Sequence, residues 1–395
     1  MRSSLGRSVL VALGVTVLAV ILLYVASTWG YAAWSQSRAP QESGIAAMPT
    51  TVENAPPSVG TTGQYGPLGT VSMVFAGTRV EDGLVGEVEQ PWLAIAARTG
   101  EYRALTAPDL PSPQPGAVAI DRDGDRLAWA TGDGVVVYDT GTGDARRVPL
   151  DGASRVGKFS PDGSMLSVHA GGLSLLDLDS GQVVAEAPDT DPEVVRHAAW
   201  RADSSAVDHV AGADLVTLPA DGSDPTTQPS PFDEGVPMAW APDGGQLAAL
   251  QEDDDGVLSL VTAPADPDGG LGEARTVDTS GVSLDGLLGF SGDDTVAVTA
   301  YLLESGSIER VLDIELDGGS PVDVSALPSP GENWRSSATL AVSDQALLSG
   351  STDFGNKVWP WSYRARLAAC ALLGLFFLGL WATRRRRTRR RRQRT

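Results

Sequence analysis

The stretch AIDRDGDRLAWATGDGVVVYDTGTG, residues 119–143, carries two alternating kinds of signal. The apolar Ile120 is followed three residues later by Asp123-Gly124. Such a pair builds a tight turn, because glycine accepts positive φ and aspartate bonds to nearby backbone amides. An alternating apolar run follows, then a second turn, then another run that ends at Asp139 and Gly143. Period-2 alternation bounded by turn residues is the signature of half-buried strands. The same order returns in KFSPDGSMLSVHAGGLSLLDLDSG, residues 158–181, and in AWAPDGGQLAAL, residues 239–250.

Aligning the turn aspartates gives Asp123, Asp162, Asp203, Asp243, Asp293 and Asp344, spaced by 39, 41, 40, 50 and 51 residues. Gly124, Gly163 and Gly244 follow three of them. Three residues before the aspartates stand Ile120, Phe159, Trp200, Trp240, Phe290 and Ala341, a column that is mostly large and apolar. A period near 40 with several strands per unit fits a four-stranded propeller blade. Val71 to Ala76 and Trp92 to Ala97 read as strands of one more blade upstream. The 291 residues from 71 to 361 then divide into about seven units of roughly 42 residues. An all-β propeller of about seven four-stranded blades is expected.

Ser160-Pro161-Asp162-Gly163 and Ala241-Pro242-Asp243-Gly244, with Arg122-Asp123-Gly124 as a weaker copy, resemble the blade turns of bacterial WD-repeat-like β-propellers. The Gly-His and Trp-Asp pairs of eukaryotic WD repeats are missing, and Asp203-Ser204 and Asp344-Gln345 lack the glycine. The resemblance implies a propeller and, by analogy, an interaction scaffold; a shared fold does not by itself imply an activity.

Charge divides the chain. Its net charge is −21, yet 13 of the 29 basic residues lie at the ends, where there are no acidic residues. The middle holds 16 basic against 50 acidic groups, a net of −34. A surface of that sign repels nucleic acid, whose binding needs clustered cations.

Residues 9–33 contain no charged side chain and would span about 37 Å as a helix, enough to cross a bilayer. Arg2 and Arg7 precede them, and Trp29, Tyr31 and Trp34 close them. A second apolar run, residues 367–382, is preceded by Trp359, Trp361 and Tyr363. It is followed by Arg384, Arg385, Arg386, Arg387 and five more arginines. Positive flanks stay cytoplasmic and aromatic flanks sit at the interface. The expected order is a cytoplasmic end (1–8), a membrane helix (9–34), a flexible extracytoplasmic linker (35–70), the propeller (71–361), a second membrane helix (362–383) and a cytoplasmic arginine tail (384–395). The localisation expected is a bacterial cell membrane crossed twice, with the propeller outside. Cleavage of the first segment as a signal peptide is the competing reading.

Catalytic signatures are scarce. His169, His197 and His209 are the only histidines, none paired at metal-ligand spacing, and the one cysteine, Cys370, lies in the second apolar run. There is no G-x-S-x-G elbow, P-loop or dinucleotide-binding glycine pattern, so no cofactor and no metal is expected. Asp121 to Asp125 and Asp253 to Asp255 read as turns rather than calcium loops. The expected function is a membrane-anchored scaffold that binds a protein, peptide or glycan of the cell envelope. The alternatives are a metal-dependent lactonase or glycan-cleaving hydrolase using channel carboxylates, and a structural spacer for the arginine tail.

Overall fold

The computed structural model describes residues 46–355, apart from 54, 56–57, 78, 83–85, 254, 267–269, 303–308 and 329–338, together with 368–372 and 375–376. The chain divides into two compact units. One comprises residues 40–80 and 88–357; the other comprises 1–39, 81–87 and 358–395.

The larger unit holds six four-stranded antiparallel sheets. Blade I contains β1 (Val71–Ala76), β2 (Trp92–Ala96) and β3 (Tyr102–Ala104). Blade II is β4 (Ala119–Ile120), β5 (Arg126–Ala130), β6 (Gly134–Asp139) and β7 (Ala145–Pro149). Blade III is β8 (Arg155–Phe159), β9 (Met165–His169), β10 (Gly172–Asp177) and β11 (Val183–Pro188). Blade IV is β12 (Ala199–Trp200), β13 (Ala206–Ala211), β14 (Asp214–Pro219) and β15 (Thr226–Pro229). Blade V is β16 (Met238–Trp240), β17 (Gln246–Glu252), β18 (Leu258–Pro264) and β19 (Arg275–Thr276). Blade VI is β20 (Val282–Phe290), β21 (Thr295–Leu302), β22 (Glu309–Glu315) and β23 (Val322–Ala326). A short strand after blade VI, β24 (Ala341–Val342), returns to blade I and pairs Met73 with Val342 and Val74 with Ala341.

That return corrects the expected count of seven. Val71–Ala104 and the repeat copy at Ala341, separate units by sequence spacing, are the two parts of one blade. Closing a ring by sharing one sheet between the two ends of the chain leaves no open edge there. Asp344 accordingly lies in no blade turn. It opens a short helix, Asp344–Ser349, capped by Ser343, whose hydroxyl accepts from the Ala346 amide.

The middle strands are buried on both faces, since each sheet is sandwiched between two others. Leu127, Ala128 and Trp129 in β5 and Val135 to Tyr138 in β6 show no polar alternation and no exposure. The core is split among the seams. Leu127, Trp129 and Val136 meet Val71, Val74 and Ala94 between blades I and II; Val135 and Val137 meet Val156, Leu166 and Val168 between II and III. Outer strands carry the charge and proline that discourage edge pairing, as in the largely exposed Ala145–Pro149 with Arg146, Arg147 and Pro149.

The described residues of 46–70, expected to belong to a flexible linker, lie against the blades. Met48–Pro49 pairs in parallel with Ser351–Thr352. Val52 and Ala326 exchange a bond from the Val52 amide to the Ala326 carbonyl at 2.8 Å, and the Ala47 amide donates to Ala97 at 3.0 Å. Ala47, Met48, Val52 and Val59 are buried. Proline and glycine set the composition of this stretch, but these four apolar side chains decide its placement.

The membrane segments expected at 9–34 and 362–383 fall outside the described residues, except 368–372 and 375–376, where the chain is helical. Leu372, Leu375 and Phe376 are exposed and Cys370 is buried. No helix among the described residues is long and apolar enough to cross a membrane. Arg2, Arg7 and the arginines from Arg384 onward also lie outside them.

Candidate functional site: the axial cavity

Ile120, Phe159, Trp200, Trp240 and Phe290 are the last residues of β4, β8, β12, β16 and β20. These first strands of successive blades touch one another around the axis. The five side chains, with Ala341 of β24, line a single cavity of about 360 Å³. The column seen at a spacing near 40 residues is thus a ring around the axis of the larger unit. A cavity of this size suits a small molecule or a short segment of a larger one.

Two members of the ring are locked by buried carboxylates. Asp208, fully buried, accepts from Arg201 Nε at 2.9 Å and Trp240 Nε1 at 2.8 Å, while the Arg201 guanidinium lies 5.8 Å from the Trp240 ring. Two seams earlier, Asp121 accepts from Arg126 Nε at 2.9 Å, and Arg126 lies 5.4 Å from the Phe159 ring. Burial raises the affinity of Asp121 for its proton, against the pull of Arg126. In each case an arginine held by a carboxylate of its own blade stacks on the aromatic of the next blade. Trp200 donates its Nε1 proton to the Lys158 carbonyl at 2.9 Å, tying blade IV to blade III.

The turn residues surround this ring. Asp162 accepts from the Ser164 amide at 3.0 Å, Asp203 from the Ser205 amide at 3.0 Å and Asp243 from the Gly245 amide at 2.7 Å. Ser205 holds the Asp203 carboxyl below its ordinary value. For Asp162, burial opposes ionisation, but bonds from Ser160 and Ser164 outweigh it. Asp123 and Asp293 lie in the exposed turns after β4 and β20. Gly124, Gly163 and Gly244 all have positive φ, between 71° and 79°.

Charged side chains reach the cavity as well: Arg122, Lys158, Arg196, Asp285 and Asp344, together with His197. Lys158 immediately precedes Phe159 in blade III, and its Nζ donates to the Met238 carbonyl of blade V at 3.1 Å. The ammonium therefore reaches past blade IV. Burial lowers the pKa of Lys158, and the charge of Asp344 works the other way. Asp344 is exposed at the wall of the cavity. The protein around it raises the pKa of its carboxyl, offset in part by Lys158 and Arg122. Arg196 is paired with Glu193 at 3.2 Å. His197 is held neutral, its pKa pulled down to about 4, first by burial and then by Arg196.

The histidines do not gather. His209 is buried in β13, and His169 bonds to the Ser154 hydroxyl at 2.7 Å. Among the described residues no three of His, Cys, Asp and Glu converge as a metal site. Asp253 bonds the amides of Asp255 and Val257, as a turn residue does. Lys158 and Arg122 had no assigned role in the sequence. The one available signal was that Lys158 is one of only two lysines in the chain and adjoins a column residue.

Six blades closed by a shared sheet around an axial cavity define a β-propeller. No protein-family model matches the chain, and no curated protein matches it. Among solved structures it is similar to TolB from Acinetobacter baumannii, at 13% identity and a TM-score of 0.46, over 68% of this chain and 66% of that one. It is also similar to a protein assigned as TolB from Agrobacterium tumefaciens, at 14% identity and a TM-score of 0.40, over 67% of this chain and 97% of the other. A third is a protein assigned as a 6-phosphogluconolactonase from Bacteroides uniformis, at 16% identity and a TM-score of 0.39, over 66% and 83%. The assignment as a propeller rests on the strand order of the chain itself.

Proposed function

We propose that this chain is a membrane-anchored binding protein of the cell envelope, whose propeller stands outside the cytoplasm and takes its ligand at the axial cavity. The observation that carries the reading is the cavity itself: about 360 Å³, walled by the apolar ring of the repeat, with a few charged groups at fixed places. A concavity that sets charged groups among apolar and aromatic side chains is a usual form of a recognition site. The partner class is an envelope protein, peptide or glycan.

Anchoring draws on separate support. The uncharged run 9–33 and the arginine-flanked run 367–382 have the composition of spans, and Leu372, Leu375 and Phe376 present apolar surface. The parallel pair Met48–Pro49 with Ser351–Thr352 joins the first and last described stretches of the propeller unit, as a chain tethered at both ends would require. The charge pattern of the cavity, in which three cationic side chains outnumber two carboxylates that do not converge, suits recognition better than the metal-dependent hydrolysis considered as the alternative.

Photo-crosslinking in intact cells tests the reading. A photoreactive amino acid in place of Leu288, on the cavity wall, is expected to trap a reproducible partner, while one in place of Asp224, in an exposed outer loop, traps none. Adducts that are absent from the cavity position, or equal at both, would remove it.

A further inference from the structure

The charges of the cavity are unevenly satisfied. Arg196 is committed to Glu193 and also donates to His197 Nε2. Asp285 lies five residues before Phe290 on β20, roughly 16 Å along an extended strand from the ring residues. Beside the ring remain Arg122, Lys158 and Asp344, two cations and one anion. Among the described residues neither cation has a carboxylate within 4.0 Å, and Lys158 Nζ has only the neutral Met238 carbonyl. Both lie close enough to Asp344 to act on its charge. Arg122 and Lys158 are both half-buried; a cation partly withdrawn from water without an anion in contact is incompletely compensated, and a bound anion relieves the cost. In a domain of net charge −34, a second cation without a counterion at the axis runs against the surface charge.

We propose that the axial cavity recognises an organic carboxylate, its anionic head held by Arg122 and Lys158 and its apolar body lying against Phe159, Trp200 and Trp240. The proposal rests on reading the cavity as the ligand site and names the chemistry of that ligand. Guanidinium and ammonium groups supply charge-assisted donors to a carboxylate, and the aromatic ring supplies the apolar contact. Asp344, of the same sign as the ligand, weakens binding and limits the site to ligands whose body also fits.

Calorimetric titration of the full-length chain in detergent tests this, with N-acetylphenylalanine, its amide, acetate and inorganic phosphate as probes. The acid is expected to bind in the millimolar range or tighter, as suits a ligand of this size. Its amide should bind about tenfold or more weakly, and acetate and phosphate weaker still, lacking the apolar body. Lys158→Met and Arg122→Met should each lower affinity for the acid by about tenfold. Asp344→Asn should raise it several-fold, a gain that misfolding does not mimic. Equal binding of acid and amide, phosphate binding as tightly as the acid, or no gain from D344N each overturns the proposal. If the cavity still traps a partner in cells but does not discriminate acid from amide, the carboxylate assignment falls and the binding reading stands; if it does neither, both fall.

Discussion

His197 ends the short helix Pro192–His197, which Asp191 caps by accepting from the Glu193 amide. Its ring is bonded on both sides: Nδ1 to the Gly235 carbonyl and Nε2 to the Arg196 guanidinium, each at 2.5 Å. A carbonyl only accepts and a guanidinium only donates, so the ring must carry its proton on Nδ1 and stay neutral. A second proton on Nε2 would face Arg196, and burial opposes it further, which puts the folded pKa at about 4. In the unfolded chain the ring titrates near 6.5. As pH falls below about 6.5 the unfolded state takes up the proton first. The stability contributed by His197 is therefore whole above that pH and drains away down to about 4. Urea unfolding at pH 7 and pH 4.5 should show the stability advantage of the wild type over His197→Asn shrinking by about 2 kcal/mol. Parallel pH dependences in the two proteins would show that the ring is not held neutral.

At the scale of elements, the ring is closed by more than β24. The Ser343 amide donates to Ser72 at 2.9 Å, extending the two-residue pairing. Residues 46–52 then bind blade VI through Ala326, blade I through Ala97 and the end of the propeller through Ser351–Thr352. Met48, 1% exposed, is the side chain that this staple buries. Met48→Ala should cost about 2–4 kcal/mol in urea unfolding, the range for truncating a buried side chain; a residue in a free linker would cost nothing. The staple was illegible in the sequence because Ala47-Met48, Val52 and Val59 are too few and too irregular to show a period. The blades are legible because a turn aspartate recurs three residues after an axial residue in five of them, followed by glycine in three. Gly124 shows why the turn is so fixed: at φ +79° a Cβ would stand 2.0 Å from the Val71 carbonyl of the neighbouring blade. The number of blades was not legible, since no local pattern reveals that the first and last copies complete each other. The charged cluster was hidden for the same reason. Arg122, Lys158 and Asp344 are 36 and 186 residues apart and meet only once the ring has closed.

For the whole molecule the governing quantity is the separation of charge, −34 in the middle against 13 arginines at the ends. Arginine clusters beside an apolar segment resist translocation, whereas the net negative charge of a long domain does little to hold it back. Both ends should therefore stay in the cytoplasm while the propeller crosses. Cysteine accessibility reads this directly, because the chain has a single native cysteine to replace, Cys370. In that background Asp224→Cys, on an exposed loop of blade IV, should react with a membrane-impermeant maleimide in intact cells. Thr395→Cys and Ser3→Cys should react only after permeabilisation. The Ser3 label also tests the signal-peptide alternative, since cleavage would separate it from the mature chain. Protection of Asp224→Cys in intact cells would place the acidic domain inside and overturn the topology. Loss of the Ser3 label from an otherwise correctly oriented chain would leave one span, with the propeller held only by the segment that leads into the arginine tail.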